Sequence, residues 1–119
     1  MSESVLQSVK HDLNGLRPED THFDPDITRD INGALVVLHQ LGFGTSIKAI
    51  TGADETWEDI LGSDEYTNLI KPWLVMKVKV VFDPPQTGIH MEALNKQIAE
   101  YESRINYITD PTDNFLLSE

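Results

Sequence analysis

The stretch KPWLVMKVKVVFDPPQ, residues 71–86, limits the fold more than any other part of the chain. Eight of the ten residues 73–82 are apolar, and nowhere else does the sequence stay that hydrophobic for that long. Removing apolar surface from water is the main favourable term open to a small domain, so this segment belongs in the core. Spacing leaves its conformation open. Val75-Met76-Lys77-Val78-Lys79-Val80 alternates as a strand would, whereas Trp73, Met76 and Val80, and also Leu74, Val78 and Val81, recur at helical intervals. The flank favours a helix, because Ser63-Asp64-Glu65 offers an N-cap and acidic first-turn residues that complement the helix dipole. A helix over 64–82 would then need a kink or a fresh start at Pro72. The far end is fixed. Pro84 and Pro85 lack amide hydrogens and push the residues before them out of the α region, so no regular element crosses Asp83-Pro84-Pro85.

At 119 residues the chain can bury one core, and we expect one helical domain over residues 1–109 followed by a flexible C-terminal tail, 110–119. Its 20 acidic and 9 basic residues give a formal charge of -11, which argues against holding nucleic acid through its phosphates. The absence of cysteine excludes disulfides, thiol catalysis and thiolate-bound zinc. Met1-Ser2-Glu3-Ser4 lacks the regions of a signal peptide, and no run approaches the roughly 20 apolar residues of a membrane span. A cytosol-like setting follows as the expectation.

Along the chain, Val5, Leu6, Val9, Leu13 and Leu16 predict a first helix capped by Ser2 or Ser4, running to about Asn14 and stopped by Gly15. Asp24-Pro25-Asp26 reads as the start of a second, with Asp24 as acidic N-cap and Pro25 at the first helical position. Ile27, Ile31, Ala34, Leu35, Leu38 and Leu41 form its apolar stripe, and Gly42 ends it. Gly33 inside that helix costs ~1 kcal/mol relative to alanine, so it is expected to mark the close approach of another backbone. Residues 43–55 read as irregular, with a possible short strand over 46–50. Thr56-Trp57-Glu58-Asp59-Ile60-Leu61 resembles a one-turn helix with a capping box between Thr56 and Asp59, and Trp57 as a plug. A last helix from about Gly88 to Tyr107 carries a narrow seam of Met91, Leu94, Ile98, Tyr101, Ile105 and Ile108. The fold class expected is mainly α, a small bundle of four to five helices.

Catalytic signatures are missing: there is no phosphate-binding glycine loop, nucleophile elbow or calcium loop. His11, His22, His39 and His90 lie far apart with no metal-ligand spacing, so they read as surface or helix-end residues. Asp24, Asp26 and Asp30 read as a helix start rather than a cation loop, since calcium loops alternate ligands around a glycine turn. No catalytic, cofactor-binding or metal-binding residue is assigned. The run holding Asp54, Glu55, Glu58, Asp59, Asp64 and Glu65 has no basic residue, and reads as a solvated face or as one that repels polyanions or meets a basic partner. Lys71, Lys77 and Lys79 either snorkel or pair with acids of a neighbouring subunit. Phe115-Leu116-Leu117 in the acidic tail reads either as a docking segment, for a partner or for the domain itself, or as part of a simply disordered tail.

The order of these elements carries a resemblance. Thr21-His22-Phe23-Asp24 leads into a helix ending Gln40-Leu41-Gly42-Phe43-Gly44. Thr56-Trp57-Glu58-Asp59-Ile60-Leu61 follows, then Phe82-Asp83-Pro84-Pro85 and a final helix with Tyr101, Arg104, Ile105 and Asn106. Over residues 3 to 109 this resembles the head-tail connector, or adaptor, proteins of long-tailed bacteriophages, with the Phe-Asp-Pro-Pro turn and the Thr-Trp pair as its most specific signs. The resemblance implies a helical virion protein without enzymatic activity or cofactor, located in the phage neck and assembled in the host cytoplasm. It implies a ring of about twelve copies under the portal, with a stopper or tail-completion protein docked on it and DNA passing through unbound. It also favours helix over strand for residues 73–82. The roles it carries over are structural: Asp24 as the cap of the second helix, Trp57 as a buried anchor, and Asp83, Pro84 and Pro85 as the turn into the last helix. Pro72 departs from the uninterrupted helix the family would have there. In the family the C-terminal segment reaches the portal, which points to Phe115, Leu116 and Leu117 as the docking residues. An acidic conduit suits passing DNA, and a ring interface accounts for apolar residues beyond the needs of one small core. The alternative from another class is a soluble acidic helical adaptor that regulates a basic or nucleic-acid-binding partner.

Overall fold

The computed structural model describes residues 3–13, 16–17, 19–44, 46–62 and 65–109. Among these residues five helices follow one another: α1 (Val5–Asp12), α2 (Asp24–Gln40), α3 (Trp57–Leu61), α4 (Thr67–Phe82) and α5 (Gly88–Thr109). The hydrophobic segment is therefore α4, a helix and not a strand. It is the central element, packed between α2 and α5 and also touching α1. Its Ile70, Trp73, Leu74 and Val78 are buried. They meet Val5, Leu6 and Val9 of α1, Ile27, Ile31, Leu35 and Leu38 of α2, and Ile98 and Ile105 of α5 in one core.

Local chemistry sets most of the boundaries. Ser4 caps α1 by accepting from the Gln7 amide at 3.3 Å. The stop at Gly15 lies outside the described residues; α1 ends at Asp12, with the Leu13 amide donating back to Val9 and Lys10. α2 closes with two bonds that satisfy its last carbonyls, Phe43 N–H to Leu38 and Gly42 N–H to His39, around Gly42 at φ 101°. The Thr56 hydroxyl accepts from the Asp59 amide while the Asp59 carboxylate accepts from the Thr56 amide, giving α3 its capping box. The Thr87 hydroxyl accepts from His90 N–H at 3.2 Å and starts α5.

Several expectations are corrected. Asp24 is not the cap of α2: Phe23 holds that position without a side-chain bond, and Asp24 is the first helical residue. Its carboxylate instead faces the Lys10 ammonium at 2.9 Å. Gly33 marks no close approach, because a Cβ placed there would find nothing within 4 Å. α4 starts at Thr67 behind Tyr66, with no side-chain cap, while Ser63 and Asp64 lie outside the described residues. Nor does Pro72 force a fresh start. It sits inside α4, where its ring leaves the Asn68 carbonyl without the usual donor and the surrounding packing carries the helix across.

Residues 46–55 contain no strand. Ile50 is buried, and the Asn32 side chain stands in for a neighbouring strand by donating to the Ile50 carbonyl at 2.9 Å and accepting from its amide at 2.7 Å. An antiparallel bridge joins Ser4 to Thr56. The α5 seam is used only in its middle, with Ile98 and Ile105 buried and Leu94 and Tyr101 partly so. Met91 and Ile108, at its ends, are only half-buried.

Candidate interaction surface

Two tryptophans lock the helices around the core. Trp57 is buried and its indole N–H donates to the Ser8 hydroxyl at 3.1 Å; that hydroxyl donates in turn to the Ser4 carbonyl at 2.7 Å. Trp73, also buried, donates at 3.0 Å to Glu102, whose carboxylate takes Lys77 at 3.3 Å and so ties α4 to α5. A buried indole needs an acceptor, and each has one. Lys10 is wholly buried and its charge is met by Asp24, a carboxylate 22% exposed at the start of α2. At the far end of α4, the Asp83 amide donates to the Lys79 carbonyl, and Pro84 and Pro85 turn the chain toward Thr87 and α5.

Each lysine of α4 meets an acid of its own chain. Lys71 meets Glu3 at 3.2 Å, Lys77 meets Glu102, and Lys79 lies 3.8 Å from Asp83. The acidic run is also partly structural. Asp59 serves the capping box, and Glu55 accepts from the Thr51 amide at 3.0 Å and from its hydroxyl at 2.9 Å. The Thr51 amide, and after it the Thr51 hydroxyl, hold the Glu55 carboxyl below its ordinary value.

The histidines do not converge. His11 is exposed beside Asp12, His22 packs edge-on against Phe23, His39 is half-buried near the end of α2, and His90 is exposed on α5. Among the described residues no group of three His, Cys, Asp or Glu side chains could hold a metal ion, and no helix is long and apolar enough to cross a membrane. Asp26, exposed on α2, and Asp30, whose side chain is only 8% exposed, lie 3.6 Å and 3.5 Å from Arg29.

What the surface does offer is apolar. Around the double-proline corner, Val81 is 66% exposed and Ile89 79% exposed, and Phe23, 45% exposed, packs edge-on against Phe82 with ring centres 5.4 Å apart. Tyr107, near the other end of α5, is 46% exposed. Residue spacing did not single these out. Val81 and Ile89 are chemically indistinguishable from core residues, and only the positions of their neighbours leave them at the surface. Phe115, Leu116 and Leu117 lie outside the described residues.

No curated protein and no solved structure matches the chain. A family model described as "Phage connector protein" does match, over residues 5–112. That span holds all five helices and both tryptophan anchors, and the chain belongs to the phage connector protein family.

Proposed function

We propose that this connector is a structural subunit of the phage neck: copies form a ring between the portal and the stopper or tail-completion protein, and DNA passes through it without specific binding. The observation that carries the reading is the apolar corner where α4 meets α5. A domain whose core is already complete has no internal use for Val81 and Ile89 in water, and such a patch suits contact with further copies. The net charge of -11 favours a conduit that does not grip the duplex. In this reading Asp24, Trp57, Asp83, Pro84 and Pro85 keep the subunit's shape, and Phe115, Leu116 and Leu117 dock on the portal.

The test is the mass and image of the purified protein, alone and mixed with its portal. Ring-shaped assemblies of about twelve copies are expected in at least one condition. They should be lost in the Val81→Asp/Ile89→Asp variant, and portal binding should weaken when residues 110–119 are removed. A wild-type chain that stays monomeric or dimeric in both conditions refutes the ring.

A further inference from the structure

Beside the last turns of α5 runs an open groove of ≈ 530 Å³ lined by Leu69, Ser103, Arg104, Tyr107 and Ile108. Its surface is almost wholly apolar apart from one cation at the rim. Arg104 lies 5.3 Å over the Tyr101 ring, and no carboxylate among the described residues lies within ion-pair distance of it.

We infer that this groove is the docking site for residues 112–117 of the same chain, with Phe115, Leu116 and Leu117 on its apolar floor and Asp113 toward Arg104. Three features select this occupant. The first is position: α5 ends at Thr109, one residue past Ile108 in the groove wall, and Thr109 is fixed there by its hydroxyl, which donates to the Leu41 carbonyl at 2.8 Å. The second is reach. The chain continues DPTDNFLLSE, and six residues from Thr109 to Phe115 span at most about 20 Å. The groove wall from Ser103 to Thr109 rises only about 9 Å along the helix, so the segment covers it with slack. The third is chemistry, since an apolar triplet flanked by acids meets an apolar floor rimmed by an arginine. Tethering sets the effective concentration on the order of millimolar, so a weak contact suffices, and the same chain outcompetes a second copy in dilute solution. The docking does not depend on the neck reading. Where the segment also serves the portal, groove and portal compete for it, and the unassembled subunit keeps its apolar triplet covered.

The chain has no cysteine, so a designed pair reports cleanly. In full-length Ser103→Cys/Leu116→Cys protein, equilibrated at low concentration in glutathione buffer, we expect an intramolecular disulfide. Its effective concentration should fall at least about ten-fold when Phe115→Asp and Leu117→Asp are added. Leu69→Cys/Leu116→Cys, checked for retained helicity, should behave the same way. An effective concentration unmoved by the aspartates overturns the proposal, as does a disulfide that appears only between chains, which would place the segment on a second copy. Since the protein is isolated and dilute, neither result bears on ring formation.

Discussion

Replacing Gly33 with alanine should stabilise the protein. Gly33 lies in the interior of α2, exposed, with a backbone that is not in the left-handed region and with nothing within 4 Å of the position its Cβ would take. The substitution therefore meets no steric cost, and the added methyl group stays in water and gains little from burial. What remains is the backbone entropy that glycine loses on entering a helix, worth about 0.5–1 kcal/mol in favour of alanine. For a domain of this size that corresponds to a rise of roughly 2–4 °C in the unfolding midpoint. Far-UV circular dichroism during heating, and a urea titration at unchanged slope, measure it. An unchanged or lower midpoint would refute the reasoning, because it would require a contact at Gly33 that the folded chain does not have. A variant that is stabilised yet fails to assemble would locate a close backbone approach in a neighbouring copy.

Two further substitutions probe the polar anchors. Asp24→Ala removes the carboxylate that faces a wholly buried ammonium and should cost about 2–4 kcal/mol, somewhat below a fully buried pair because Asp24 is partly exposed. Adding Lys10→Met should restore most of it, and a double-mutant cycle in urea reads the coupling; a single-variant loss under about 1 kcal/mol would put the pair in the surface class. Glu55 has a carboxyl held below its ordinary value of 4.5 by the Thr51 amide. Its stabilising contribution is therefore complete above that value and is lost as pH falls through the lowered one. Glu55→Gln should flatten the acid limb of the stability profile relative to wild type, and parallel profiles for the two proteins would contradict this.

What could be read in the sequence was whatever closes within a few residues. The Thr56 and Asp59 capping box, the stop at Gly42 and the corner at Pro84-Pro85 each depend on groups at most five positions apart, so residue identity and spacing suffice. The stripe of α2 was legible for the same reason. Polar groups whose partners lie far along the chain were not. Nothing in the spacing of α2 marks Asn32, although its side chain substitutes for a strand at Ile50, 18 residues away. Ser8 meets Trp57 across 49 residues, and Thr109 meets Leu41 across 68. Asp24 looked like a cap because a carboxylate beside a proline at a helix start usually is one, and only the fold brings Lys10 close enough to claim it.

The apolar corner follows from the same limit. A helix between two layers needs hydrophobic residues on two sides, so α4 is apolar nearly all round and its sequence gives no sign of where its cover ends. The cover ends beyond Val78: Val80 and Phe82 are half-buried, while Val81 faces water. On α5 the first turn presents Ile89 to solvent and full burial begins only at Ile98. The two helices thus carry apolar side chains past the point where α1 and α2 can bury them. Fully burying a residue of this kind is worth about 1.5–3 kcal/mol, and Val81 and Ile89 forgo most of that in the single subunit. An assembly that covers them recovers that energy at every contact, so even a modest interface repeated around a closed ring stabilises it cooperatively.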